Sequence, residues 1–229
     1  MSKIRFTEPN REILARRDSI INDLTRLVDP AGLITSTDEC RAYETDALTA
    51  YRKMPLAVVL PKTTEEVSAV LKYCHDTGVK VVPRGAGTSL AGGAIPSEDA
   101  VVLGLSKMNR VLAVNYDDRF IRVEAGVTNL SVTAVVAENG FFYAPDPSSQ
   151  LACTIGGNIA NNSGGAHCLK YGVTTNNLLG VRMVLIDGSI IDLGGDYLDS
   201  AGLDLLGLVV GSEGQLGIVT EATLRILKS

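Results

Sequence analysis

The sequence predicts an α+β chain in two lobes, a small parallel β-α-β lobe followed by a larger mixed or antiparallel sheet lobe with helices. Three observations carry this. A short all-apolar strand, a capped helix and a second strand come first, as in a buried parallel unit. Alternating strands joined by tight-turn residues come afterwards, as in antiparallel hairpins. Finally, 45% of the 229 residues are hydrophobic and 21% charged, and a chain of this size buries about 70% of its unfolded surface.

The elements follow in order. Residues 11–28 place Ile13, Leu14, Ile20, Ile21, Leu24, Leu27 and Val28 on one face of an amphipathic helix. Asp29-Pro30 ends it, because a residue before proline avoids the α region. Lys and Arg along 3–17 read as a solvated face. Residues 31–54 are polar and weakly periodic and read as an extended tether, so that 1–54 forms an N-terminal helix and tether. Pro55 and Pro61 bracket the strand Leu56–Leu60. Thr63-Thr64-Glu65-Glu66 is a capping box, Val67, Val70, Leu71 and Cys74 are the buried stripe, and Gly78 closes the helix. Val79–Val82 is the next strand. Strands follow at Val101–Leu105, Val111–Tyr116 and Phe120–Glu124, with Asp117-Asp118 turning between the last two. Thr128–Asn139 is a short helix closed by Gly140. Val181–Ile186 and Ser189–Leu193 flank Asp187-Gly188, a strong hairpin signal. Leu203–Val210 is a short helix or strand, and Gly217–Leu227 a final strand.

Composition narrows the function classes. A net charge of −5 lacks the basic footprint of a nucleic-acid binder. Cys40, Cys74, Cys153 and Cys168 have neither C-x-x-C spacing nor the density of a secreted scaffold, and read as reduced thiols of a cytoplasmic protein. Met1–Phe6 has no apolar signal region, and no apolar run approaches the ~18 residues of a transmembrane segment. Glycine is the outlier, at 23 residues against a usual ~7%. It concentrates at 83–96, 154–165 and 211–217, mixed with Ser, Thr and Asn. Glycine permits close backbone approach, and consecutive amides in such turns form anion-binding nests. There is no Gly-Lys-Ser/Thr, so the first block is not a P-loop, and Gly85-Ala86-Gly87 lacks the third glycine of a dinucleotide fingerprint. Asn158, Asn161 and Asn162 either start a helix or donate to a ligand's carbonyls and ring nitrogens.

Five ordered blocks resemble the FAD-binding (PCMH-type) domain of the vanillyl-alcohol oxidase and p-cresol methylhydroxylase superfamily. They are Pro55–Pro61 with Thr63–Val67, then Pro83-Arg84-Gly85-Ala86-Gly87-Thr88-Ser89, Pro145-Asp146-Pro147, Thr154-Ile155-Gly156-Gly157-Asn158 and Gly211–Val219. His167–Gly172 and Leu90–Gly93 resemble the glycolate oxidase and FAD-linked D-lactate dehydrogenase members, with D-2-hydroxyglutarate dehydrogenase a near relative. The resemblance implies a two-lobed FAD-binding PCMH-type domain over 55–229, with lobe one at about 55–105 and lobe two at about 106–229. It also implies the site. Arg84, Gly85, Ala86, Gly87, Thr88 and Ser89 would wrap the FAD pyrophosphate. Pro145 and Asp146 would border the isoalloxazine, and Thr154, Gly156, Gly157, Asn158, Ala160 and Asn161 would line the cofactor's second face. Gly165, Tyr171, Gly172 and Val173 would lie near the ring or pyrophosphate, and Ile218 and Val219 near the adenine or ribose.

Some members of the superfamily attach FAD to a His in the first loop, where this chain has Thr88. Cys153 stands one residue out of register with a second known linkage point and reads as structural. Non-covalent FAD is therefore expected. Relatives are about twice as long, and their second half is a cap carrying the substrate and metal residues. The chain is expected to lack that cap and to be inactive alone. Within it, His167 is the one weak catalytic candidate, His75 reads as a helix-end residue, and no metal site is expected. Glu213 would brace the third glycine block. The resemblance implies hydride transfer from the Cα of a 2-hydroxy acid to flavin N5, giving a 2-oxo acid. Electrons would leave to a quinone, a cytochrome or a partner subunit, with peripheral attachment at the inner membrane through partners. A non-catalytic FAD module whose cap is on another chain or has been truncated away is the alternative, and a non-flavin nucleotide-binding domain a more distant one.

Overall fold

The computed structural model describes residues 7–196 and 202–229; Lys3 and Arg5 of the expected solvated face lie outside them. The chain opens with α1 (Arg11–Ala15) and α2 (Arg17–Leu24), not the single helix expected over 11–28. At Arg16 the ladder switches to a bond from the Arg16 amide to Ile13 O at 3.1 Å. The break keeps Ile13, Ile20, Leu24 and Val28 in one buried row.

The expected tether is not extended. A 3-10 turn at Pro30–Gly32 leads into β1 (Leu33–Ile34), α3 (Thr37–Cys40) and a second 3-10 turn at Arg41–Tyr43. The reason is the sheet beneath it. β2 (Ala57–Val59) is buried on both faces, as is β4 (Ala100–Gly104). One face packs Val59, Val101 and Leu103 against α2 and the next helix. The other exposes Val58, Leu60 and Val102, and Ile34, Cys40, Tyr43 and Met54 cover them.

Between β2 and β4 run α4 (Thr64–Thr77) and β3 (Lys80–Arg84). Thr63 Oγ1 accepts from the Glu66 amide at 3.2 Å, and Gly78 ends the helix at φ 74°. The reciprocal half of the expected capping box is shifted: Glu66 Oε2 accepts from the Lys62 amide at 2.6 Å, one residue further out. The strands order β1-β2-β4-β3, with β1 antiparallel and the rest parallel.

The second lobe begins with β5 (Val111–Asn115) and β6 (Phe120–Glu124), then α5 (Asn129–Val136) and β7 (Phe141–Phe142). Next come α6 (Ile155–Asn161), α7 (Cys168–Tyr171), β8 (Leu178–Val184) and β9 (Ile190–Gly194). The chain finishes with α8 (Leu205–Val209), β10 (Ile218–Arg225) and β11 (Leu227–Lys228). β10 is the middle strand of an antiparallel sheet ordered β5-β6-β10-β8-β9, and β11 pairs with β7. Ile155 and Ile159 of α6 sink into the core of this sheet with Ile121, Met183 and Leu224.

α4 joins the lobes. Thr64 Oγ1 donates to Thr220 Oγ1 at 3.0 Å in a buried contact, and Ser68 Oγ donates to Gly188 O at 2.5 Å. The first core continues into Ala125, Val184 and Ile218 of the second lobe.

Asp99 pins the N-terminal helices to the first sheet. Its buried carboxylate accepts from the Asn10 amide at 2.9 Å and from Ser97 Oγ at 2.6 Å, and Lys80 Nζ lies at 2.8 Å. Burial alone would raise its pKa, but Lys80, Ser97 and the amides outweigh it and hold the group at about 2. An unfolded Asp titrates near ~3.9, so this stabilisation is complete above that pH and is lost as pH falls toward 2. Its size is about 2 kcal/mol. Asp99→Asn is expected to lose that amount at pH 7 and to flatten the acid branch between pH 4 and 2, as read from urea midpoints across pH.

Candidate functional site

A cavity of about 250 Å³ opens between the lobes. Three segments wall it: the loop leaving β3, the length of α6, and residues 212–219 entering β10.

The loop starts at Arg84, the last residue of β3. Arg84 is 9% exposed, its Nη1 donates to Thr45 O at 2.7 Å, and its guanidinium lies 5.5 Å from the centre of the Tyr43 ring. Burial pulls its pKa down, with Tyr43 and Asp46 acting the other way; a guanidinium remains cationic throughout. The next five amides, Gly85 to Ser89, have no acceptor among the described residues. A run of free amides beside a buried cation is an anion cradle.

α6 supplies the facing wall. Thr154 Oγ1 caps it by accepting from the Gly157 amide at 3.3 Å. The Gly156 amide is committed to Ala125 O at 2.8 Å, which fixes the helix start against the end of β6. Asn158 is 2% exposed and lines the cavity, yet its Nδ2 has no partner among the described residues. A buried donor without an acceptor costs about 1–3 kcal/mol, so this amide is disposed to meet a ligand's acceptor. The Asn-rich stretch does not start the helix, which Thr154 caps: Asn158 and Asn161 lie within α6, Asn162 ends it at φ 47°, and only Asn158 leaves a buried donor unmatched among these three.

The third wall is tied to α6 at its far end, where the Gly211 amide donates to Ile159 O at 2.9 Å and the Glu213 amide to Ala160 O at 2.8 Å. Leu105, Ile159, Val209, Ile218 and Val219 give the cavity apolar area, and Arg84 and Glu213 are its charged members.

Of the residues singled out in the sequence, Arg84 through Ser89, Thr154, Gly156, Gly157, Asn158, Ala160, Asn161, Ile218 and Val219 line this one cavity. Pro145, Asp146, Gly165, Tyr171, Gly172 and Val173 are not among its lining residues. Several of these cluster on the loops beyond Ser163, whose carbonyl accepts from the Thr174 amide at 3.0 Å. There Asp146 Oδ2 lies 2.5 Å from His167 Nδ1, and Asp146 Oδ1 accepts from the His167 amide at 3.3 Å. Tyr171 stands edge-on to Phe142, ring centres 5.6 Å apart. His75 lies on the last turn of α4, outside the cavity. Cys153, read as structural, is a buried free thiol that does line it. Among the described residues no group of three or more His, Cys, Asp or Glu is arranged to hold a metal ion.

Sequence reasoning missed Ser149, Ser163, Ser212 and Gly214 as wall residues. The second and third glycine blocks were the available signals for Ser163, Ser212 and Gly214; Ser149 carried none.

The fold and this cavity define the class: the chain belongs to the FAD-binding domain family, whose model matches residues 55–194. It is 49% identical over 211 residues to the glycolate oxidase subunit GlcD of Escherichia coli K12, covering 92% of this chain and 42% of that protein. It is 40% identical over 210 residues to the D-lactate dehydrogenase of Archaeoglobus fulgidus, covering 91% and 46%. A solved structure of alkyldihydroxyacetonephosphate synthase superposes with a TM-score of 0.82 at 23% identity over 98% of this chain and 42% of that one, a likeness of fold. The chain spans less than half the length of each of these relatives.

Proposed function

We propose that this chain holds FAD, non-covalently, for a flavin-linked 2-hydroxy-acid oxidoreductase of the glycolate oxidase or D-lactate dehydrogenase type. The observation that carries the reading is the set of uncommitted donors in one interlobe cavity: five consecutive amides beside buried Arg84, and the orphaned Nδ2 of Asn158. These residues fit FAD. The pyrophosphate suits the amides and the guanidinium, and the apolar wall suits a fused ring. Thr88 carries neither imidazole nor thiol for a ring linkage, which favours a cofactor held by contacts alone. The buried thiol of Cys153 is the one other group in the cavity wall that acid precipitation would expose as a link.

When bound, FAD would supply an electron-pair acceptor for hydride from the Cα of a 2-hydroxy acid, which, with its hydroxyl proton taken by a base, leaves as a 2-oxo acid. The chain's own part is binding and orientation. Arg84 and the loop amides neutralise the diphosphate, Asn158 fixes one polar edge, and Leu105, Ile159 and Val209 exclude water. We infer that the residues that choose the hydroxy acid lie outside the span this chain shares with its relatives, so this chain by itself is expected to bind FAD without turnover. A quinone, a cytochrome or a partner subunit takes the electrons. No helix among the described residues is long and apolar enough to cross a membrane; a cytoplasmic protein, peripheral to the membrane through its partners, is the setting we infer.

The test is an absorbance spectrum of the chain mixed with FAD and desalted, before and after acid precipitation. Flavin bands that co-elute and then pass to the supernatant are expected. Flavin in the pellet overturns the non-covalent reading, and no flavin at all overturns the cofactor reading. Turnover by the isolated chain with D-lactate or glycolate would overturn the division of labour. Asn158→Leu separates cofactor role from fold role. It removes a buried unmatched donor, so the apo chain is expected to be at least as stable, while FAD affinity falls about ten-fold, as measured by thermal unfolding and flavin fluorescence.

A further inference from the structure

The glycine loop is bolted from outside the span that the family model matches. Four contacts join residues 43–48 to residues 84–92. The Ala47 amide donates to Gly87 O at 2.9 Å. The Gly92 amide donates to Asp46 Oδ2 at 2.9 Å. Arg84 Nη1 donates to Thr45 O at 2.7 Å, and the same guanidinium lies over the Tyr43 ring. The other Asp46 oxygen, Oδ1, accepts from the Leu48 amide at 3.0 Å and closes the strap on itself. Asp46 is only 4% exposed, and its charge acts on Arg84. A buried carboxylate with two amides and a nearby cation is a costly group to place unless its geometry is fixed. Both ends of the loop are thus held, at Arg84 and at Gly92, and its middle is held at the Gly87 carbonyl. The amides of Gly85 to Ser89 are the part left free.

We propose that residues 43–48 are a positioning element of the cofactor site, with Asp46 as the positioning residue that holds the Gly85–Ser89 loop ready for a diphosphate. The inference rests on the FAD reading above. Its physical content is preorganisation: a loop already ordered gives up less freedom when it binds. Asp46 acts through the loop and does not itself touch the anion, which its charge would repel.

The experiment uses the whole chain with FAD as the probe. Asp46→Ala is expected to weaken FAD binding about ten-fold or more, mostly through a slower association rate, because the loop must be ordered during binding. Asp46→Asn, which keeps carbonyl-type acceptance for one of the two amides, is expected to fall between. Val70→Ala, in the α4 core away from the cavity, lowers the unfolding temperature and is expected to leave FAD affinity unchanged; it is the control for mere destabilisation. Amide spectra of the apo chain give an independent readout. In Asp46→Ala the Gly85–Ser89 signals are expected to shift or broaden, while those of β8 and β9 stay. Unchanged affinity in Asp46→Ala overturns the proposal, and so does an affinity loss matched by Val70→Ala. If the unaltered chain binds no FAD, the cofactor reading fails separately, and an apo loop undisturbed by Asp46→Ala then overturns the positioning role as well.

Discussion

Gly85→Val is expected to abolish FAD retention by the chain, with the dissociation constant raised about a hundred-fold, and to cost stability of about 1–2 kcal/mol. The two effects have one cause. A Cβ on Gly85 would stand 2.5 Å from Thr154 Oγ1. That hydroxyl is the cap of α6, so moving it also releases the Gly157 amide. The loop and α6 are opposite walls of the cavity, and both are displaced together. Gly85 has no positive φ, so the requirement is for space, not for a left-handed backbone. Gly85→Ala is therefore a graded version: the obstacle is one side-chain oxygen, and the hydroxyl can rotate away at the expense of the cap. A double-mutant cycle with Thr154→Ala tests this. Once the hydroxyl is gone, the alanine at 85 is expected to cost little more, so the double variant loses less than the sum of the two singles. Additive losses would place the role of Gly85 elsewhere.

What the sequence disclosed and what it hid follow from the range of the forces involved. α4 was legible because its signals are local: Thr63 at the cap, a 3–4 spacing of Val67, Val70, Leu71 and Cys74, and Gly78 at the end. The Asp187-Gly188 hairpin was legible for the same reason. The cavity loops were legible because glycine marks close approach, and Gly85 and Gly156 each face a neighbour within 3 Å of where a Cβ would stand. The N-terminal segment was not legible as structure. β1 and α3 cover Val58 and Val102, far along the chain. Ser36-Thr37-Asp38-Glu39 is a local helix-start pattern, with Ser36 capping α3, but nothing within 31–54 names the surface it has to cover. Asp46 was missed for a related reason. It is one acidic residue in a polar stretch, and its partner Gly92 is 46 positions away. The family resemblance supplied a list of site residues. Only the three-dimensional arrangement divides that list into a cavity wall and an outer cluster around Asp146 and His167.

Gly126→Ala is expected to be strongly destabilising for the addition of a single methyl. Its Cβ would lie 2.2 Å from Leu105 O and 2.7 Å from Met108 O. Both are backbone atoms, so no side chain can rotate to make room. The Gly126 amide already donates to Met108 O at 2.7 Å, and the Met108 amide donates to Leu105 O at 3.0 Å. The turn at 105–108 and the end of β6 are thus pressed together where the chain passes from one lobe to the other. Relief requires the lobes to part. That would expose Met108 and Ala125, both buried in the core shared by the lobes. A loss of about 3 kcal/mol or more is expected, seen as a urea midpoint lower by about 1 M. Gly78→Ala is the comparison. Gly78 has φ 74° and nothing within 4 Å of its Cβ position, so its cost is the left-handed backbone alone, about 1–2 kcal/mol. If Gly126→Ala loses no more than Gly78→Ala, the close contact at Gly126 is relieved at little cost and does not set the loss there. The site should feel the difference too. Ala125, next to Gly126, accepts the Gly156 amide at 2.8 Å, so Gly126→Ala is expected to weaken FAD binding, whereas Gly78→Ala is expected to leave it unchanged.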